Sequence, residues 1–337
     1  MRLGVVDQSP IRMGDSPAAA LADTVALAKA ADAMGYHRFW LAEHHASPAF
    51  AGTAPEILIG HLADRTSRMR IGSGGVMLSH YAPLKVAETF RMLEVLHPGR
   101  IDLGLGRAPG SDGLTARALQ AGPQAWSIDE FPRQLADVVA FLDDAVPGGH
   151  PYARVSCMPT GPTSPEVWLL GSGGYSAIYA GVLGLPFAYA HFINPEGSED
   201  VVRVYREQFR PSARLAEPKV ALSVFALAAE TGDEAMRLAA TRDAWAVDFY
   251  GGHLGPFPSV ERALGRNYTA LEAARLAHVR SRGVVGAVGE VADRLGALAH
   301  AHGAEEIQIV TITHDLAPRI ESYGLLAEAL PAAMLAA

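Results

Sequence analysis

The sequence places one carboxylate and two imidazoles on adjacent residues, Glu43, His44 and His45. An imidazole titrates near neutral pH, so it can take up and release a proton during a reaction. The three residues end a short apolar run that is typical of a buried strand, and neighbouring side chains on a strand point to opposite faces. We therefore expect only one of the two histidines to face a reaction site. The alternative is a hydrogen-bonded pair at a strand end with a purely structural role.

A glycine-rich turn near the middle of the chain could hold a phosphate group. Glycines allow the backbone to approach an anion closely, and the helix predicted to follow offers unpaired N–H groups and its positive end. The turn resembles a dinucleotide fingerprint but lacks the last glycine and follows a fifth predicted strand, so it predicts one phosphate rather than a pyrophosphate. A plain tight turn between strand and helix is the alternative. The turn consists of Gly171, Ser172, Gly173, Gly174, Tyr175 and Ser176.

Glycines also gather at the end of the third predicted strand, and an arginine follows the fourth. Gly74 and Gly75 leave room for a flat ring laid against the strand, although a β-bulge would also favour glycines there. Arg107, directly after Gly106, could pair with a phosphate or another anionic group, or else form a salt bridge at the rim.

Strand-like and helix-like runs alternate along the chain, and they must position these residues. Eight such units predict an α/β fold, a (β/α)8 TIM barrel, as a single domain over residues 1–337. Active sites of this fold lie at the carboxyl ends of the strands, where the candidate residues fall. The alternative, a doubly wound open sheet, usually has a glycine fingerprint after the first strand, where this chain has Asp7, Gln8, Ser9 and Pro10. The predicted strands are 2–7, 38–43, 70–78, 101–107, 167–171, 187–192, 220–228 and 306–313.

One segment does not follow the alternation of strands and helices. Residues 249–282 contain paired glycines and a Pro-Phe-Pro sequence and are long for a barrel connection. We predict that this segment is irregular and forms an insertion or a lid after strand seven.

Composition excludes several classes of function. The formal net charge of −8 argues against a nucleic-acid partner. The one cysteine, Cys157, permits no intrachain disulfide and no cysteine-based metal cluster, so no metal site is predicted. The first ten residues lack the pattern of a signal peptide, and no apolar run reaches the ~18 residues that a membrane helix needs. We expect a cytoplasmic protein that acts without a membrane.

Five stretches of the sequence, in this order, resemble the bacterial-luciferase-like flavin-dependent monooxygenases. The resemblance covers nearly the whole chain and is specific to the family only when the stretches are taken together. It is carried by residues 40–45, 71–83, 98–100 with 104–107, 170–177, and 184–188 with His191.

The resemblance implies a TIM barrel, usually dimeric, that takes reduced FMN from a separate flavin reductase and uses dioxygen to oxidise a small-molecule substrate. The expected product is hydroxylated, epoxidised or oxidised in the Baeyer–Villiger sense. His44 matches the catalytic histidine of the family, and we expect Glu43 to steady it. Gly74 and Gly75 match a non-proline cis peptide that lies against the flavin ring.

The remaining matches are contacts to the cofactor. The resemblance implies that Arg107 and the 171–176 turn contact the phosphate or the flavin, and Gly106 and His191 are expected beside them. Gly106 is also a departure, because the luciferase catalytic subunit has a reactive cysteine at this position. We therefore expect a non-luminescent member of the family, similar to antibiotic-tailoring oxygenases of secondary metabolism.

Two other functions are compatible with the same resemblance. The first is a deazaflavin-dependent hydride-transfer oxidoreductase on the same barrel, which would not consume dioxygen. The second is a flavin-binding protein without turnover. Barrels of that kind tend to be shortened, whereas this chain keeps His44 and the complete set of strands.

Overall fold

The computed structural model describes residues 1–108, 110, 112–120 and 127–330. These residues form nine parallel strands, of which eight close a barrel in the order β1-β2-β3-β4-β5-β6-β7-β9 and back to β1. The predicted barrel is therefore confirmed, and the open doubly wound sheet is excluded. The strands are β1 (Arg2–Asp7), β2 (Arg38–Leu41), β3 (Arg70–Met77), β4 (Ile101–Gly106), β5 (Glu166–Gly171), β6 (Phe187–Ala190), β7 (Val220–Ala229), β8 (Gly283–Ala287) and β9 (Glu306–Val310).

Helices surround the barrel and begin at residues that favour a helix start. Ser16, for example, caps the first helix by accepting a hydrogen bond from the Ala19 N–H at 3.2 Å. The described residues form twelve α-helices: α1 (Pro17–Ala33), α2 (Pro55–Ala63), α3 (Pro83–Leu96), α4 (Gly113–Leu119), α5 (Phe131–Leu142), α6 (Gly174–Val182), α7 (Ser198–Gln208), α8 (Gly232–Tyr250), α9 (Val260–Leu264), α10 (Ala270–Ser281), α11 (Val288–His302) and α12 (Leu316–Ala329). None of them is long and apolar enough to cross a membrane.

The barrel strands are nearly continuous apolar runs because both of their faces are covered, by helices outside and by packed side chains within. Trp40 and Trp168 meet inside the barrel with their ring centroids 5.3 Å apart. Arg38 on β2 bonds to Asp102 on β4 and to Glu306 on β9, both at 2.6 Å. These strands are not neighbours of β2, so the ion pairs cross the interior, and they brace the barrel below the candidate site.

The insertion after the seventh strand differs from the irregular segment that we predicted for residues 249–282. Helix α8 continues to Tyr250, α9 and α10 follow, and β8 pairs with the second half of β7. The Gly-Gly and Pro-Phe-Pro signals occupy only the loop between α8 and α9. The prediction of an irregular segment was wrong, because the glycines and prolines interrupt only the loop, while the helical spacing on either side of them forms helices. The role as a lid stays a prediction.

Candidate active site

Two adjoining cavities open where the barrel strands end. The first has a volume of about 550 Å³ and lies over β3, β4 and β5. The second has a volume of about 670 Å³ and lies against the insertion that follows β7. Four residues line both cavities and therefore form their boundary: Gln8, His44, Phe192 and Ile193. The first cavity is rich in glycines and exposed backbone, and the second is rich in aromatic side chains.

The glycine-rich turn forms one wall of the first cavity, at the start of α6. Gly173 precedes the helix, and no side chain caps it. The first N–H groups of a helix have no partner within the helix, so they are available to a ligand here. A Cβ added at Gly173 would meet no atom within 4 Å. The turn is thus an open cradle of N–H donors, with the Ser172 and Ser176 side chains at its edge.

The close approach of strand and helix explains the first glycine of this turn. A Cβ at Gly171 would lie 2.4 Å from the Ser176 side chain, so only glycine fits there. The carbonyl oxygen of Ser172 accepts hydrogen bonds from the Tyr189 hydroxyl at 3.4 Å and the Asn194 amide at 3.3 Å. The backbone of the turn is therefore held from below while its upper face stays open.

Arg107 directly follows β4, and its side chain reaches across the first cavity to the glycine-rich turn. Its guanidinium carbon is 4.5 Å from the ring centroid of Tyr175, a cation–π contact. In the described part of the chain, no carboxylate lies within 4.0 Å of it. A cation without an acidic partner beside an N–H cradle is what an anionic ligand requires.

The two glycines at the end of β3 give the first cavity a flat floor. The Gly74–Gly75 peptide bond is cis, as the family resemblance implied. The register with β4 shifts between Gly74 and Val76, so the β-bulge considered from the sequence is also present. A Cβ at Gly74 would lie 2.8 Å from the Trp40 Cβ, and one at Gly75 would lie 2.7 Å from the Gly104 carbonyl oxygen. The floor therefore has no side chains.

His44 lies on the boundary between the two cavities. Its ring stacks on Phe50 with centroids 4.4 Å apart, and its Nδ1 is buried with no hydrogen-bond partner among the described residues. Burial, together with the neighbouring His45, lowers the pKa of His44 to about 4. The imidazole is consequently neutral at physiological pH, with one ring nitrogen free to bond to a ligand.

Glu43 does not steady His44, contrary to our expectation. Its carboxylate bonds to the His45 Nε2 at 2.6 Å, the Tyr81 hydroxyl at 2.6 Å and the Met77 N–H at 3.0 Å. Residues 43 and 45 point to one side and residue 44 to the other, because side chains alternate along an extended backbone. The same alternation, applied to Glu43 in the sequence, places its side chain with that of His45 and away from His44.

The first cavity contains all but two of the predicted site residues, and His191 is the more informative exception. Strand β6 ends at Ala190, so His191 lies beyond it and faces a different pocket, beside Arg282 and Arg294. Its ring centroid is 6.0 Å from that of His302. His191 therefore does not line the cavity in which we expected its contact with the cofactor. Gly174, the other exception, begins α6 but does not line the cavity.

Apart from His44, the side chains that characterise the second cavity were not identified from the sequence. Six aromatic side chains and two arginines line it, and most of them belong to α8 and to the segment that was expected to be irregular. The helical spacing of this segment could have placed several of them on one face. They are Phe50, Phe192, Phe225, Trp245, Phe249, Tyr250, Arg242 and Arg282.

Comparison with known proteins gives matches along the whole chain. A sequence model of the luciferase-like monooxygenases matches residues 1–306. The N-acetyl-S-alkylcysteine monooxygenase of Bacillus subtilis (strain 168) is 38% identical over 336 residues, or 99% of each chain. The solved structure of apo-MsnO8 is 40% identical, with a TM-score of 0.87 over 97% of this chain and 98% of that one. A further solved structure shares the fold. It is the oxygenating constituent of 3,6-diketocamphane monooxygenase from Pseudomonas putida, a type II Baeyer–Villiger monooxygenase in complex with FMN. The TM-score is 0.70 at 17% identity, and the match covers 98% of this chain and 97% of that one.

Proposed function

Because the chain belongs to the luciferase-like monooxygenase family and is an oxygenase, we propose that it uses reduced FMN and dioxygen to oxidise a small organic substrate. The observation that carries the proposal is the first cavity, where an open N–H cradle, an arginine with no carboxylate partner among the described residues and a floor of two glycines meet. A relative of the same fold binds FMN. FMN combines one phosphate with one planar ring, which is what these three features fit.

The phosphate would be held by the N-terminus of α6, the Ser172 and Ser176 hydroxyls and the Arg107 guanidinium. Each of these donates hydrogen bonds, and together they offset the negative charge of the phosphate. The flavin ring would rest on the backbone of Gly74 and Gly75, which lie against Trp40 and the Gly104 carbonyl too closely to carry a side chain. When bound, reduced FMN supplies the two electrons by which one oxygen atom of O2 enters the product and the other leaves as water.

His44 would act at the contact between cofactor and substrate, since it borders both cavities. Its low pKa keeps the imidazole neutral, so one of its two ring nitrogens carries no proton and can accept a hydrogen bond or a proton from a group at the boundary. Phe50 stacks on one face of the ring and keeps solvent from that face, which limits unproductive proton transfer.

The substrate and the electron source complete the proposal. One relative is named for oxidation at N-acetyl-S-alkylcysteines and another for Baeyer–Villiger chemistry, so hydroxylation, epoxidation and Baeyer–Villiger oxidation of small molecules are the reactions considered. We include a separate flavin reductase, because the first strand is not followed by a glycine fingerprint for a nicotinamide cofactor.

The test compares the binding of FMN and riboflavin, which differ only in the phosphate. Anaerobic titrations of the reduced flavins should give at least tenfold tighter binding of FMN. Arg107→Gln should reduce that preference and leave riboflavin binding unchanged, and exposed Arg203→Gln serves as the matched control. Equal binding of the two flavins, or tighter binding of a deazaflavin without dioxygen uptake, would overturn the proposal, and the latter would favour hydride transfer.

A further inference from the structure

The second cavity combines an apolar wall with two arginines that have few acidic partners. Its volume of about 670 Å³ is suited to a small organic molecule, and six aromatic rings line it. The cavity adjoins the first one at His44, so a molecule within it would reach the boundary where oxidation is proposed to occur.

Arg242 enters this cavity from α8, and its side chain is 13% exposed. Its guanidinium carbon lies 4.1 Å from the ring centroid of Phe225, and Nη1 donates to the Val279 carbonyl oxygen at 3.1 Å. The nearest carboxylate, that of Asp243, is 3.7 Å away and is shared with Arg280, which binds it at 2.7 Å. Asp243 thus neutralises Arg242 only in part.

Arg282 enters from the residue before β8 and has an unused donor. Its Nε is buried with no hydrogen-bond partner among the described residues, while Nη1 donates to the Tyr250 hydroxyl at 3.2 Å. A buried donor without an acceptor is costly unless a ligand or water satisfies it. Within the described ranges, no carboxylate lies within 4.0 Å of this guanidinium.

The positive charges of the two arginines repel each other, which favours the binding of an anion beside them. Burial lowers the pKa of Arg242, the carboxylate of Asp243 offsets part of this effect, and the positive charge of Arg282 adds a smaller lowering. Among the described residues, Asp112 is the one acidic side chain that lines the cavity, and its carboxylate caps α4, accepting from Leu114 N–H at 2.8 Å and Thr115 N–H at 3.0 Å, without an ion pair to either arginine. Two guanidinium groups against this one carboxylate leave a net positive charge among the apolar walls.

We infer that the second cavity binds a substrate with an apolar or aromatic body and one carboxylate, held by Arg242 and Arg282 with the body directed toward His44. A guanidinium matches a carboxylate in a planar, two-bond geometry, which a neutral amide or alcohol does not provide. This inference rests on the proposed function for its meaning as a substrate site, but the binding itself does not require the flavin.

The experiment uses pairs of probes that differ only in charge. Phenyl and n-alkyl carboxylates of four to ten carbons are titrated beside their primary amides, with calorimetry and the fluorescence of Trp245 as readouts. At least one carboxylate should bind tenfold more tightly than its amide. If no carboxylate binds, or if each pair binds equally, the inference is wrong.

Variants show whether the arginines cause the preference. Arg282→Gln should reduce carboxylate binding about tenfold and leave amide binding unchanged, while Arg282→Lys should recover only part of the loss. Arg237→Gln on the outer face of α8, where Glu234 pairs with it at 2.7 Å, is the matched control and should change neither. Equal loss for both probes, or no loss in Arg282→Gln, would contradict the inference.

The FMN titration separates this inference from the proposed function. Arg282 does not line the first cavity, so Arg282→Gln should bind FMN as the unaltered protein does. A protein that binds carboxylates but no flavin would refute the proposed function and leave the anion site standing. A protein that binds flavin but does not prefer carboxylates would refute the anion site and leave the proposed function standing.

Discussion

Replacing Gly173 with alanine distinguishes a phosphate cradle from a plain structural turn. A Cβ at Gly173 would meet no atom of the protein within 4 Å, and its φ of −160° is extended backbone that any residue adopts. The substitution should therefore change the free energy of unfolding by no more than about 0.5 kcal/mol. The same methyl group would project into the space where we place the phosphate, and loss of one or two charge-assisted hydrogen bonds corresponds to a ~10- to 100-fold weaker FMN complex.

The assay combines urea unfolding without flavin and anaerobic titration with reduced FMN. Gly174→Ala is the matched control, because a Cβ there also meets nothing within 4 Å but the residue does not line the cavity. It should bind FMN normally. Gly171→Ala is the opposite case, since its Cβ would lie 2.4 Å from Ser176, and overpacking of this kind costs about 1–3 kcal/mol of stability. Unchanged FMN affinity in Gly173→Ala would refute the cradle.

Two further predictions concern stability. The pKa of His44 is lowered from 6.5 to about 4 in the folded protein. As the pH falls below 6.5, the unfolded chain therefore takes up a proton that the folded chain does not. The free energy of unfolding should decrease by ~2.5 kcal/mol between pH 7.5 and 4.5 because of this residue. His44→Asn should remove that part of the loss in urea unfolding at the two pH values, and an identical pH profile for both proteins would contradict the assigned burial. Arg38→Gln removes one cation from the buried Asp102 and Glu306 carboxylates, which keep Arg70 at 2.6 Å and Lys219 at 3.3 Å, respectively. We expect a loss of about 3–5 kcal/mol, whereas exposed Arg203→Gln should change little. A loss below about 1 kcal/mol for Arg38→Gln would show that the network contributes little to the barrel.

The periodicity of the sequence was sufficient to predict the barrel. Runs buried on both faces alternate with helices, and the eight predicted strands agree with the eight barrel strands except at their ends, whereas β8 was not predicted. Strand β2 stops at Leu41 rather than at residue 43, and β6 stops at Ala190, so His191 lies past the strand. Pairing with neighbouring strands fixes these ends, and that information is not local to the segment.

The glycine-based part of the site was also predictable, because glycine records where no side chain fits. Gly171 and Gly75 would each clash with a neighbour if they had a Cβ, and both lie in stretches that were chosen from the sequence. The second cavity was not predictable in this way. Arg242 and Arg282 are 40 positions apart and meet only because α8, α10 and β8 fold back over the end of β7.

The choice of partner among adjacent polar residues likewise depends on tertiary structure. Glu43 could have met either histidine in the sequence, and the hydroxyl of Tyr81 and the N–H of Met77 hold it on the side of His45. His44 is left against Phe50, where burial controls its protonation.

A crystal structure of the protein grown with FMN tests the central claim most directly. The account predicts the phosphate within hydrogen-bond distance of the α6 N-terminus and Arg107, with the flavin ring against the Gly74–Gly75 peptide. Electron density for the flavin at any other place, or a first cavity that contains only solvent at saturating FMN, would contradict it.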